Sequence, residues 1–259
     1  MTDNVKKVFH YHAHGHVLSG SFTRPISRFI EVQAPSVLPT IGGYGNARVE
    51  NFHLDHHVRF KAGYSHVAGS KQQKDEKEFH TTLVTAVVEG LNFVDVLTAD
   101  RIVLRITGHH GFPDEESQFS FLGSTFENLR ICGYPLEIEL NDRLFGHLDT
   151  FAKVKKELEK DKEFKKMTED PFRSGTPIKL REGNTEIHCS LVKRLKTTAP
   201  GVTVDGHTVA IPGFGTIYVA EVLLGLNKRT LTMLRFELGS PIEGSGVVTQ
   251  ASINGSHFP

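Results

Sequence analysis

The sequence predicts a mainly β protein: an antiparallel β-sandwich or partly closed β-barrel carrying one long helical insertion. Three observations predict it. Apolar and polar residues alternate with a period of two over most of the 259 residues. Gly, Pro, Asn and Asp separate the alternating runs. One stretch, beginning at Asn141, changes to the three- and four-residue spacing of a helix. A chain of this length buries a sizeable core. The simplest organisation is one β-rich domain over 1–259; the alternative is two β-halves, 1–141 and 176–259, joined by the helix.

The first strand, 8–18, places Phe9, Tyr11, Ala13 and Val17 on one face and His10, His12, His14 and His16 on the other. A second strand is expected from Ile26 to Ala34, before Pro35, Pro39 and the Gly42-Gly43-Tyr44-Gly45-Asn46 loop. Residues 47–62 read as one alternating strand, with Val49 and Asn51 on one side and Phe52, Leu54, Val58 and Phe60 on the other. The charged run 70–78 reads as a loop or hairpin tip. Strands 80–89 and 91–107 follow, about Gly90; in the second, Ile102, Leu104 and Ile106 oppose Arg101 and Arg105. A loop at 113–117, around Pro113-Asp114, precedes more β pattern over 118–131 and the alternating Leu136, Ile138 and Leu140.

Asn141 or Asp142 then caps a helix of about 142–167, whose apolar face is Leu144, Leu148, Phe151, Val154 and Leu158. Its Lys- and Glu-rich remainder reads as a solvated face. Asp170-Pro171 ends it. The β pattern returns from Ile178. Asp205-Gly206 supplies a hairpin turn, Ile211 to Gly215 another, and strands are expected at 216–224, 229–238 and 247–253.

Lys plus Arg equals Asp plus Glu at 30 each, so no electrostatic case exists for nucleic acid. Cys132 and Cys189 do not form a metal or redox spacing and read as reduced thiols. No apolar run is long enough to span a bilayer as a helix, and no leader pattern opens the chain. The expected location is cytoplasmic.

Two histidine segments carry the candidate chemistry. Imidazole binds metals and titrates near neutral pH. His10, His12, His14 and His16 form a binding face. In His53-Leu54-Asp55-His56-His57, strand alternation puts His53, Asp55 and His57 on the polar face and His56 on the apolar one. His12, His14, His53, Asp55 and His57 would form a metal site if the two segments adjoin. Such an imidazole–carboxylate set suits Fe(II), Zn(II) or Mn(II). His109-His110 reads as a loop tip. No nucleophile elbow, phosphate loop or dinucleotide fingerprint is present.

The leading functional expectation is a non-enzymatic binding or assembly protein. It would use a β-sheet edge or groove to hold a peptide, a protein or another copy of itself, with the His-rich strand as the edge. The alternatives are a metal-dependent β-barrel enzyme built on the His/Asp set and a His-mediated, pH-responsive assembly protein.

Overall fold

The computed structural model describes residues 8–25, 27–74, 77–111, 116–160, 186–225 and 228–258. Two antiparallel sheets pack face to face, and the chain is mainly β. The first sheet runs in the order β14 (Thr203–Asp205), β15 (Thr208–Ile211), β16 (Gly215–Gly225), β17 (Lys228–Leu238), β18 (Glu243–Phe258), β1 (Val8–Arg24), β2 (Arg28–Gln33). In it β12 (Glu186–Ser190) also pairs with β16, and β3 (Ser36–Val37) with β1. The second runs β13 (Val192–Thr197), β11 (Tyr134–Leu140), β10 (Arg130–Ile131), β7 (Leu97–His110), β6 (Lys77–Phe93), β5 (Val58–Lys74), β4 (Gly43–Leu54). Short strands β8 (Gln118–Ser120) and β9 (Thr125–Glu127) pair with β7.

The sequence halves interlock. β1 lies between β18 and the β2–β3 segment, and β13 joins the sheet of β4–β7. At one side of the sandwich the chain passes between sheets at Leu191. Its N–H donates to Ala220 O at 2.9 Å, and its carbonyl accepts from Asn141 N at 2.6 Å. At the other side the Ser65 hydroxyl of β5 donates to Ala34 O at 2.5 Å and bonds the Ser36 hydroxyl at 2.8 Å. These bonds satisfy polar groups that burial would otherwise leave unpaired.

The expected helix of 142–167 is two short helices instead: α1 (Asp142–His147) and α2 (Phe151–Lys160). The break has a local cause. Thr150 Oγ1 accepts the Lys153 N–H at 3.3 Å, a cap that starts a new helix. Residues 161–167 lie outside the described residues, as do 178–185, where the β pattern was expected to resume. Phe145, Phe151 and Val154 are buried, so the helices cover apolar surface beside β8.

Strict alternation fails along one row in each sheet. In the second sheet the pairs Asn51–Lys61, Lys61–Gly90 and Gly90–Asp100 are missing from the registers, together with the adjoining Phe60–Leu91. Asn51 and Gly90 have positive φ (51° and 66°). In the first sheet the skipped residues are Val17, Thr249, Met233 and Ala220, with positive φ at Thr249 and Ala220. A left-handed residue reverses which face the next side chain meets. Val17-Leu18 and Met233-Leu234 are therefore buried consecutively. The same row corrects the 47–62 strand: Val49, Phe52, Leu54, Val58 and Phe60 all pack towards the core. Gly90 likewise lies inside β6, and the real turn is 94–96, where Asn92 Oδ1 accepts the Asp95 N–H at 3.0 Å.

Candidate functional site

The four histidines of β1 do share one face, away from the core. Phe9, Tyr11 and Ala13 are buried; His12 and His14 are exposed; His10 and His16 are half-buried. Across β18 they oppose Ser256, Asn254, Ser252 and Gln250. His16 Nε2 and Ser19 Oγ lie 2.9 Å apart. Burial, aided by His14, pushes the His16 imidazole down to about 4. Burial and Lys228 lower His14 as well.

The second histidine segment is not a continuation of a strand. β4 ends at Leu54, and residues 55–57 form the β4–β5 turn, with Asp55 at φ 49°. His56 is exposed on this turn rather than on an apolar face. His57 packs against Phe22, ring centroids 4.9 Å apart. Phe22 lies ten residues beyond His12 in β1, roughly 30 Å along a strand. Asp55 instead approaches Arg28 at 3.9 Å. The structure thus does not bring His53, Asp55 and His57 to His12 and His14. Among the described residues no three His, Cys, Asp or Glu side chains are placed to hold a metal ion together.

A different imidazole cluster lies between the sheets, and sequence reasoning missed it. Phe9, Tyr11 and His257 enter it from the first sheet. His80 and His110, directly paired on β6 and β7, enter from the second. Phe9 stacks on His80 at 4.2 Å, with His110 and His257 at 4.9 and 5.0 Å. The Tyr11 hydroxyl and His80 Nδ1 are 2.8 Å apart. Ser117 Oγ and His110 Nδ1 are 2.6 Å apart. His110 is thus no loop tip: it is 5% exposed. Burial first, then Arg229 and the neighbouring histidines, push it down to about 4. His80 is lowered by burial, His257 and Lys71, against Glu78. Arg229 is itself buried, which pulls it down to about 10, while Glu116 opposes that shift.

Within the cluster His80 and His110 are therefore kept neutral near pH 7, each bonded through Nδ1 to a hydroxyl. Ser117 and His110 share a short contact, yet both are sealed from solvent, which suits packing rather than attack on a substrate. Gly255 explains the closeness: a Cβ there would lie 2.2 Å from Phe9 Cζ and 3.1 Å from His110 Cε1. Tyr11→Phe leaves His80 Nδ1 buried without its hydroxyl. We expect it to cost about 1–2 kcal/mol in urea unfolding; an unchanged midpoint would show that the bond contributes nothing.

The outer face of the first sheet holds an ion network. Arg235 donates to both oxygens of Glu221 at 2.7 and 2.9 Å and stacks 3.6 Å over Tyr218. His207 Nε2 lies 3.6 Å from Glu221. Arg235 and His207 overcome burial and hold the Glu221 carboxyl down to about 2. Every charge here is paired within the chain.

Among the described residues β14, β2, β13 and β4 are the end strands of their sheets, and two surfaces bear on binding. A groove of about 410 Å³ is lined by Pro135, Glu137, Leu195, Lys196, Val202 and Val204. The other is the edge of β4. β4 is the last strand of its sheet, and no described strand pairs with its far side. Large apolar side chains stand exposed in β3, the β3–β4 turn and β4: Val37 at 69%, Ile41 at 88% and Tyr44 at 73%. β1, expected as the edge, is interior. Cys132 is exposed and Cys189 buried, both free; burial pushes the Cys189 thiol up to about 12. No described helix is long and apolar enough to cross a membrane.

No curated protein and no solved structure matches the chain. A family model described as a domain of unknown function, DUF8256, matches residues 9–176 and 166–225. These two matches run from β1 through β16, most of both sheets. The chain belongs to the DUF8256 family.

Proposed function

We propose that this protein is a non-catalytic binding or assembly scaffold, and that it works by pairing an extended strand onto the open edge of β4. The observation that carries this reading is the 12-residue β4 strand with one unpartnered side. An unpaired edge offers a row of backbone N–H and C=O groups to an incoming strand. Val37, Ile41 and Tyr44 supply exposed apolar surface at its end that a partner would cover. The strongest histidine cluster, by contrast, is closed.

The test is selection of extended 12-residue peptides from a display library, followed by affinity measurement on variants. Replacing Ile41 and Tyr44 together with Asp should weaken the selected peptides at least tenfold, about 1.4 kcal/mol. Peptides whose affinity is unchanged by that pair, but falls when Leu195 or Val204 is altered, would move the site to the groove.

A further inference from the structure

We infer that the strand β4 receives is β4 of a second copy, antiparallel about a two-fold axis through Asn46. This rests on the edge-pairing reading above and names its occupant.

The regular part of β4 runs from Tyr44 to Glu50, between Gly43 at φ 108° and the skipped row at Asn51. Within it Gly45, Ala47 and Val49 face the core side, and Tyr44, Asn46, Arg48 and Glu50 face out. Natural edges are guarded by lysine, proline or bulges. Gly43–Glu50 contains no lysine or proline. Its one cation is neutralised within the strand, since Arg48 bonds Glu50 at 2.7–2.9 Å. The chain's formal charge is zero, so two copies do not repel overall.

In an antiparallel pair, opposed residues share a face. An axis on Asn46 sets Tyr44 against the partner's Arg48, twice. Such cross-strand neighbours have Cβ atoms about 5 Å apart, close enough for a guanidinium to meet a tyrosine ring. Among the core-facing positions Gly45 then opposes Ala47, and Val49 meets Gly43. Gly45 itself lies close against β3 of its own chain, where a Cβ would stand 2.8 Å from the Val37 carbonyl oxygen. The pairing is isologous and closes as a dimer.

The test joins mass and cross-linking in the full chain. By light scattering at 100 µM the wild-type protein should have twice the chain mass. Asn46→Lys puts two ammonium groups at the axis and should weaken the dimer at least tenfold, with an unchanged circular dichroism spectrum. In a Cys132→Ser background, Asn46→Cys should form an intermolecular disulfide on oxidation, since axial Cα atoms about 5 Å apart suit one. Glu50→Cys should not, because its two copies stand about 26 Å apart. A monomeric wild type whose β4 still binds selected peptides would overturn self-pairing alone. A monomer whose β4 binds none would overturn both readings. Equal cross-linking at the two cysteine positions would overturn the register.

Discussion

Lowering the pH from 7 to 4.5 is expected to remove several kcal/mol of folding stability. The sign follows from the buried histidines. His110 holds its proton only below about 4 in the folded chain, against about 6.5 when unfolded. Above pH 6.5 both states are neutral and the full stability is present. Between 6.5 and 4 the unfolded chain takes up the proton first, so stability falls with pH. His110 alone accounts for about 2–3 kcal/mol across this window. His16, also down to about 4, and His80, His14 and His188 are shifted the same way and add to the loss. Glu221 acts in a separate window: its carboxyl, held down to about 2, contributes stability that is lost only as pH falls below 4.5. Urea unfolding at pH 7, 5.5 and 4.5 reads the first window. His110→Leu should shrink the difference between pH 7 and 4.5 by about 2–3 kcal/mol. A stability flat from 7 to 4.5 would mean that these imidazoles are not sealed.

The second large effect is at Phe93. It is fully buried and lies among Phe22, Phe214 and Phe236 at 6.0, 5.8 and 4.5 Å between ring centroids. Phe93 belongs to one sheet; Phe22 and Phe236 belong to the other. Its removal opens a cavity between the sheets that neither can relax to fill. Phe93→Ala is expected to cost about 3–5 kcal/mol in equilibrium unfolding. A loss below 1 kcal/mol would show that the sheets close over the vacancy.

The parts of this fold legible in the sequence are those where local pattern and tertiary environment agree. Phe9 to His16 alternates because one face of β1 meets the second sheet throughout. Asp205-Gly206 marks a hairpin because Gly206 takes φ 56° between β14 and β15. The facing error in the 47–62 strand has a local cause. At Asn51 a left-handed residue reverses the faces, and a strict period of two carries the wrong assignment past it; at Gly90 the same conformation inside β6 reads as a break between strands. The turn at 94–96 has both Val94 and Asp95 in that conformation; its signal, Asn92 and Asp95, is masked by the β-branched Val94 and Val96 around it and by Gly90 nearby. The helix break was present as Asp149-Thr150, a cap inside an apparently continuous apolar face. His80 and His110 stand 30 residues apart, each amid strand residues. Only the register of β6 against β7 makes them neighbours. The His-x-His row drew notice through its spacing, yet spacing along β1 cannot report which strand flanks it. That flank decides whether β1 is an edge.

The claim that β4 is the working edge is tested most directly by amide hydrogen exchange of residues 43–50 across a dilution series. If β4 pairs with another strand, exchange there slows as concentration rises from 1 to 100 µM, while β1 and the Leu195–Val204 groove stay unchanged. Exchange at 43–50 that stays fast at every concentration, and with every selected peptide, would contradict the account.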